Sequence, residues 1–129
     1  MSSTRILESE QIERKLQRIA RQIIEEFHTE DVLHLITIAG NGEPVGKRIG
    51  EIIEAVGGLQ VQASVLTLNK SNPLEGDIAL SVASETLSGQ SVIVLDDVLN
   101  SGKTMMYAVH HILSAGPKRV ATAVLIDRI

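Results

Sequence analysis

The stretch SVIVLDDVLNSGKT, residues 91–104, decides the reading of the chain. Residues 91–95 are apolar and β-branched and read as a buried strand. That strand runs into two adjacent carboxylates, Asp96 and Asp97, and then into a short polar segment containing Gly102. Like charges repel, and burying them is costly unless something satisfies them. The segment behind them suggests what does. Residues 100–104 read as a turn entering a helix, where backbone N–H groups and the Ser101 and Thr104 hydroxyls can surround one phosphate. Carboxylates do not bind phosphate unaided, but they accept hydrogen bonds well from vicinal hydroxyls. A ribose 5-phosphate carries both groups at about this separation. The plain alternative is a pair of carboxylates capping a loop, and it leaves the phosphate turn without a use.

The end of the stretch, SGKT, also invites a Walker A reading. That pattern needs a glycine five residues before the Gly-Lys pair. The position is Asp97, which would direct negative charge at the phosphates, so the reading is rejected.

Working outward, apolar residues recur at helical spacing from Ile12 to Phe27, with Ser9 as the expected N-cap. VLHLITIA, residues 32–39, reads as a strand buried on both faces. GNGEP follows, with Pro44 suited to the first turn of a helix that Gly57 and Gly58 stop. Residues 60–68 are strand-like, residues 69–77 form a polar loop, IALSV is a short strand and ETLSG a turn. Residues 103–115 predict a helix with Met105, Met106, Val109, Ile112 and Leu113 on its apolar side. Gly116 and Pro117 end it, and residues 119–127 form a last strand. Apolar strands alternating with helices predict an α/β fold, a mostly parallel sheet flanked by helices on both faces, in a single domain over residues 1–129. Ligands of such sheets sit where strands end and helices begin.

Composition narrows the classes. The 129 residues suit one domain, and 43% apolar with 22% charged residues is a globular balance. The absence of cysteine excludes disulfides, thiolate metal sites and a cysteine nucleophile, and it fits a cytoplasmic setting. No apolar run reaches membrane-spanning length. A net charge of −4 argues against non-specific nucleic-acid binding, and one Phe, one Tyr and no Trp leave few platforms for stacking bases.

VIVLDDVLNSGKT resembles the signature of type I phosphoribosyltransferases. Around it, ILESEQIERKLQRIARQIIE, LTLNKSNP and GPKRVATAVLIDR are similar to the pyrimidine-operon regulator/uracil phosphoribosyltransferase branch. The resemblance implies a Rossmann-like core and transfer of phosphoribose between 5-phosphoribosyl 1-pyrophosphate and a nitrogenous base, as in salvage of a pyrimidine such as uracil. By position, it implies that Asp96 and Asp97 hold the ribose hydroxyls and serve catalysis. Asn100, Ser101, Gly102, Lys103 and Thr104 would hold the 5-phosphate. Ala39, Gly40, Asn41, Gly42 and Glu43 would form the pyrophosphate loop, with Lys70 closing over it as a lid residue. It also implies magnesium, held mainly by substrate, with Asp96 and Asp97 near or in its water shell. A nucleobase or nucleoside monophosphate is the second ligand, and a homodimer is the expected assembly.

Two departures stand out. The pyrophosphate loop, AGNGEPVG, lacks the basic residue common there and carries Glu43 instead, which weakens charge neutralisation of the leaving group. The chain ends at LIDRI, so the hood over the base is expected to be missing or truncated. These departures keep a second reading open: a catalytically weak regulator that binds the pyrophosphate donor or a nucleotide, with RNA as a further partner. The basic stripe of Arg14, Lys15, Arg18 and Arg21 is interleaved with glutamates and reads as a solvated face with local ion pairs. His34 reads as a core histidine, one of His110 and His111 as packed and the other exposed, and Met105 and Met106 as helix packing.

Overall fold

The computed structural model describes residues 2–40, 42–68, 78–99 and 102–127. In chain order these form α1 (Ser2–Glu26), β1 (Val32–Ile38), α2 (Gly42–Ile52), a π-helical turn (Ile53–Gly57), β2 (Gln60–Thr67), β3 (Ala79–Leu80), a 3-10 turn (Ser84–Leu87), β4 (Ser91–Leu99), α3 (Lys103–Leu113) and β5 (Arg119–Asp127). The sheet order is β3-β2-β1-β4-β5. β1 pairs parallel with both β2 and β4, and β4 parallel with β5; only the two-residue β3 is antiparallel.

Strand alternation divides the core between two faces. Leu33 and Leu35 of β1 and Ile93 and Leu95 of β4 pack with Leu16, Ala20, Ile23 and Phe27 of α1 and with Ile49 and Ile52 of α2. Ile36 and Ile38 of β1 and Val92 and Val94 of β4 turn the other way, onto Met105, Ala108 and Ile112 of α3 and onto Leu87. Each fully buried Leu, Ile or Val contributes about 1.5–3 kcal/mol relative to exposure. The two central strands carry most of these residues, so the frame is firmest where β1 and β4 lie side by side.

The structure corrects several sequence-based expectations. α1 runs through Ser9 instead of starting there, because no Pro or Gly interrupts residues 2–9. β4 continues past Leu95 to Leu99, so the aspartates lie inside a strand; backbone pairing persists to Leu99 opposite Asp127 although the apolar run is broken. On α3 the buried stripe is Met105, Ala108 and Ile112, one helical turn apart, which leaves Met106 and Leu113 exposed. The glutamates of α1 do not pair mainly along their own helix: Glu13 binds Arg48 of α2 through two hydrogen bonds, and Glu26 pairs with Arg119 of β5.

Candidate active site

β1 and β4 are parallel neighbours at the centre of the sheet, and the helices that follow them lie on opposite faces, α2 with α1 and α3 alone. The chain therefore leaves the two C-terminal strand ends in opposite directions and opens a crevice between them, the place where ligands bind in open α/β sheets. Both sequence-selected loops start there.

On one lip, Asp96 is 3% exposed and Asp97 is half-buried. The Asp97 N–H donates to Asp96 Oδ1 at 2.8 Å, so part of Asp96's burial is offset by the neighbouring amide. Successive residues of a strand face opposite ways, which sends the two side chains to different sides of β4. Beyond them, Gly102 takes a left-handed conformation with φ 81°, which its missing Cβ makes inexpensive, and immediately precedes α3. Glycine at this N-cap has no side chain to offer the first-turn N–H groups of α3. Lys103 and Thr104 open the helix, with Lys103 exposed and Thr104 half-buried.

On the other lip, Gly40 has φ 121° and Gly42 begins α2. A Cβ built on Gly42 would lie 3.4 Å from the Asp97 backbone nitrogen and 3.7 Å from Asp96 Oδ1. The two loops are thus in contact, although more than fifty residues separate them in sequence. The Ala39 N–H donates to the Leu66 carbonyl at 2.8 Å and ties the loop start to β2. Glu43 is exposed, and its Oε2 accepts the Gly40 N–H at 3.1 Å. Asn41, Lys70, Asn100 and Ser101 lie outside the described residues.

Sequence reading missed what holds the lips together. Thr37 of β1 is 6% exposed and packs under α2. A Cβ on Gly46 would come within 2.1 Å of Thr37 Oγ1 and 3.1 Å of its Cβ, so only glycine lets α2 approach this closely. The signal was present in the four-residue spacing of Gly42, Gly46 and Gly50. Away from the crevice, His34 is only half-buried rather than in the core, and that burial pushes its pKa down. His110 is exposed and His111 half-buried.

Asp96 and Asp97 offer hard oxygen donors, and among the described residues no cluster of three or more His, Cys, Asp or Glu could hold a metal ion. That donor set fits magnesium, which commonly takes one or two carboxylates and keeps its remaining ligands on phosphate oxygens and water.

The paired acids beside a helix entry and the glycine loop facing them lie at the switch point of the parallel sheet, where ligands of such folds bind. Residues 2–129 match the phosphoribosyl transferase domain family, and the chain belongs to that family. It is 34% identical to the bifunctional protein PyrR of Clostridium acetobutylicum, over 96% of this chain and 74% of that protein. It is 33% identical to the bifunctional protein PyrR of Acetivibrio thermocellus, over 95% of this chain and 71% of that protein. Among solved structures it resembles a hypoxanthine-guanine phosphoribosyltransferase from Bacillus anthracis, with TM-score 0.78 and 21% identity over 92% of this chain and 67% of that one. It also resembles the hypoxanthine phosphoribosyltransferase of Trypanosoma cruzi, with TM-score 0.79 and 17% identity over the same shares. At these identities the structural likeness speaks for the fold alone. Among the described residues no helix is long and apolar enough to cross a membrane.

Proposed function

We propose that this phosphoribosyltransferase transfers phosphoribose between 5-phosphoribosyl 1-pyrophosphate and a pyrimidine base such as uracil. The observation that carries the reading is the contact between the two lips: Gly42, at the entry to α2, lies against the Asp96–Asp97 backbone. A single ligand can then rest its sugar hydroxyls on the aspartates, its 5-phosphate at the entry to α3 and its pyrophosphate along the Gly40–Gly42 loop.

Within this reading, Asp97 is the more accessible carboxylate and accepts from the ribose hydroxyls. Asp96 is the more buried and fixes the Asp97 backbone through its Oδ1. The two carboxylates also favour the positive charge that develops on the ribose ring as the bond from C1 to pyrophosphate lengthens. Magnesium, when bound with the donor, supplies charge compensation for the departing pyrophosphate. The residues contribute positioning and electrostatics, and no protein nucleophile is needed. The pyrimidine preference rests on the resemblance to the pyrimidine-regulator branch, which the identity to two PyrR proteins supports.

A second reading, a regulator that binds the donor with little turnover, is favoured by one observation. The pyrophosphate loop carries Glu43, and that carboxylate occupies the Gly40 N–H. Pyrophosphate release measured with the donor, magnesium and a panel of uracil, cytosine, hypoxanthine and guanine separates the two. Release with uracil above the purines supports the enzyme. Donor binding without release from any base supports the regulator, and release only with purines overturns the pyrimidine assignment.

A further inference from the structure

We propose that Glu43 is a built-in competitor for the pyrophosphate site. Its carboxylate holds the Gly40 N–H in the free protein and has to leave it when the donor binds. The inference rests on the phosphoribosyl reading and adds how that site selects its ligand.

The β1–α2 loop closes on itself from both sides. Glu43 Oε2 accepts the Gly40 N–H at 3.1 Å, while the Glu43 N–H donates to the Gly40 carbonyl at 3.3 Å. The amide so occupied lies at the start of the β1–α2 loop, one residue beyond Ala39, whose own N–H is already spent on β2. A carboxylate oxygen and a phosphate oxygen are equivalent acceptors for such an amide, so the two compete for it. Among the described residues no cation pairs with Glu43, although Lys47 lies one turn along the same helix. Among the described residues the charge of Glu43 therefore meets no cationic side chain, only the start of α2, and it repels a free polyanion.

The consequence is selectivity for a pyrophosphate group whose charge is already compensated. A free pyrophosphate must displace the carboxylate and then remain beside it. With a divalent cation carried on the ligand, the released carboxylate faces a positive partner, directly or through water. Glu43 thereby turns the absence of a basic residue into a requirement for the metal-loaded donor.

A structural cap has the opposite signature. If Glu43 only stabilises the start of α2, removing it loosens the loop and weakens anion binding. If it competes, removing it strengthens anion binding. The experiment is calorimetric titration of wild type, Glu43→Ala and Glu43→Gln with inorganic pyrophosphate, with and without magnesium, and with ribose 5-phosphate. Magnesium-free pyrophosphate should bind Glu43→Ala about tenfold more tightly than wild type. Glu43→Gln, which loses the charge but keeps an acceptor oxygen, should show a smaller gain in the same direction. The gap between magnesium-free and magnesium-loaded pyrophosphate should narrow in both variants, and ribose 5-phosphate affinity should stay unchanged. Equal or weaker pyrophosphate binding in Glu43→Ala, with ribose 5-phosphate binding intact, overturns the competitor alone. No ribose 5-phosphate binding to wild type overturns the phosphoribosyl reading, and this inference with it.

Discussion

The two ends of the parallel sheet use acidic residues in opposite ways. At the N-terminal strand ends two acids, Glu30 and Glu26, meet cations. Glu30 takes Lys118 at 2.8 Å and also the Ser91 hydroxyl at 2.6 Å, and Glu26 pairs with Arg119, whose guanidinium lies 4.3 Å above the Phe27 ring. These contacts tie the end of α1 to the starts of β4 and β5. At the C-terminal ends Glu43 accepts the Gly40 N–H, and Asp96 accepts the Asp97 N–H. A carboxylate has about four acceptor positions, so one amide does not exhaust that of Glu43. The lower contacts tie elements together, whereas the upper ones, on the proposed reading, lie where a ligand binds.

The largest expected effect comes from pulling the upper lips apart. Gly46→Val forces a branched side chain into the space of Thr37, and overpacking of this kind costs about 3 kcal/mol. Thermal unfolding should show the loss. Because α2 carries Gly42, pyrophosphate affinity should fall with it even at temperatures where the variant is folded. A Gly46→Val protein as stable as wild type would mean that the close approach of α2 to β1 does not organise the crevice.

Loosening the lower end should affect stability and spare binding. Ser91 is 1% exposed and spends its hydroxyl on Glu30. Ser91→Ala should cost about 1 kcal/mol, with ribose 5-phosphate affinity unchanged by calorimetry. A matching loss of affinity would erase the division between the two ends.

The smallest effect is a pH slope. The hydrogen bond from Lys118, with help from Ser91, holds the Glu30 carboxyl below its usual value of 4.5, and the hydrogen bond from Arg48, with help from Gln17, does the same for Glu13. Both groups release protons more readily folded than unfolded. Their contribution is therefore whole above the ordinary carboxylate range and lost as pH falls through the lowered values. Exposed pairs contribute little, so the slope should be shallow. Glu30→Gln should flatten it in thermal melts taken from neutral pH downward. An unchanged slope would remove Glu30 from the lower network.

Much of this frame was legible in the chain because local patterns and tertiary structure agree. Residues 119–127 read as a strand from their apolar run after Gly116 and Pro117, and β5 has those bounds. The run of β4 into the aspartates and the start of α3 at Lys103 were legible as a strand leading into a helix. Three features were hidden, for different reasons. The extension of β4 to Leu99 depends on backbone pairing with β5, which polar side chains do not announce. The need for glycine at 46 is set by Thr37, on another element, so the sequence offers a spacing without its cause. The bond from Gly40 to Glu43 is local, but composition records only the charge of Glu43 and not where it points.

The central claim is that the Asp96–Asp97 lip binds the phosphoribosyl group, and donor titration into aspartate variants tests it most directly. Calorimetry with 5-phosphoribosyl 1-pyrophosphate and magnesium should give wild-type binding that weakens roughly 10- to 100-fold in Asp97→Asn, since hydrogen bonds to a charged group contribute about 1.5–3 kcal/mol. Asp96→Asn should also weaken it, through the Asp97 backbone that Asp96 fixes. Unchanged donor affinity in both variants would contradict the site.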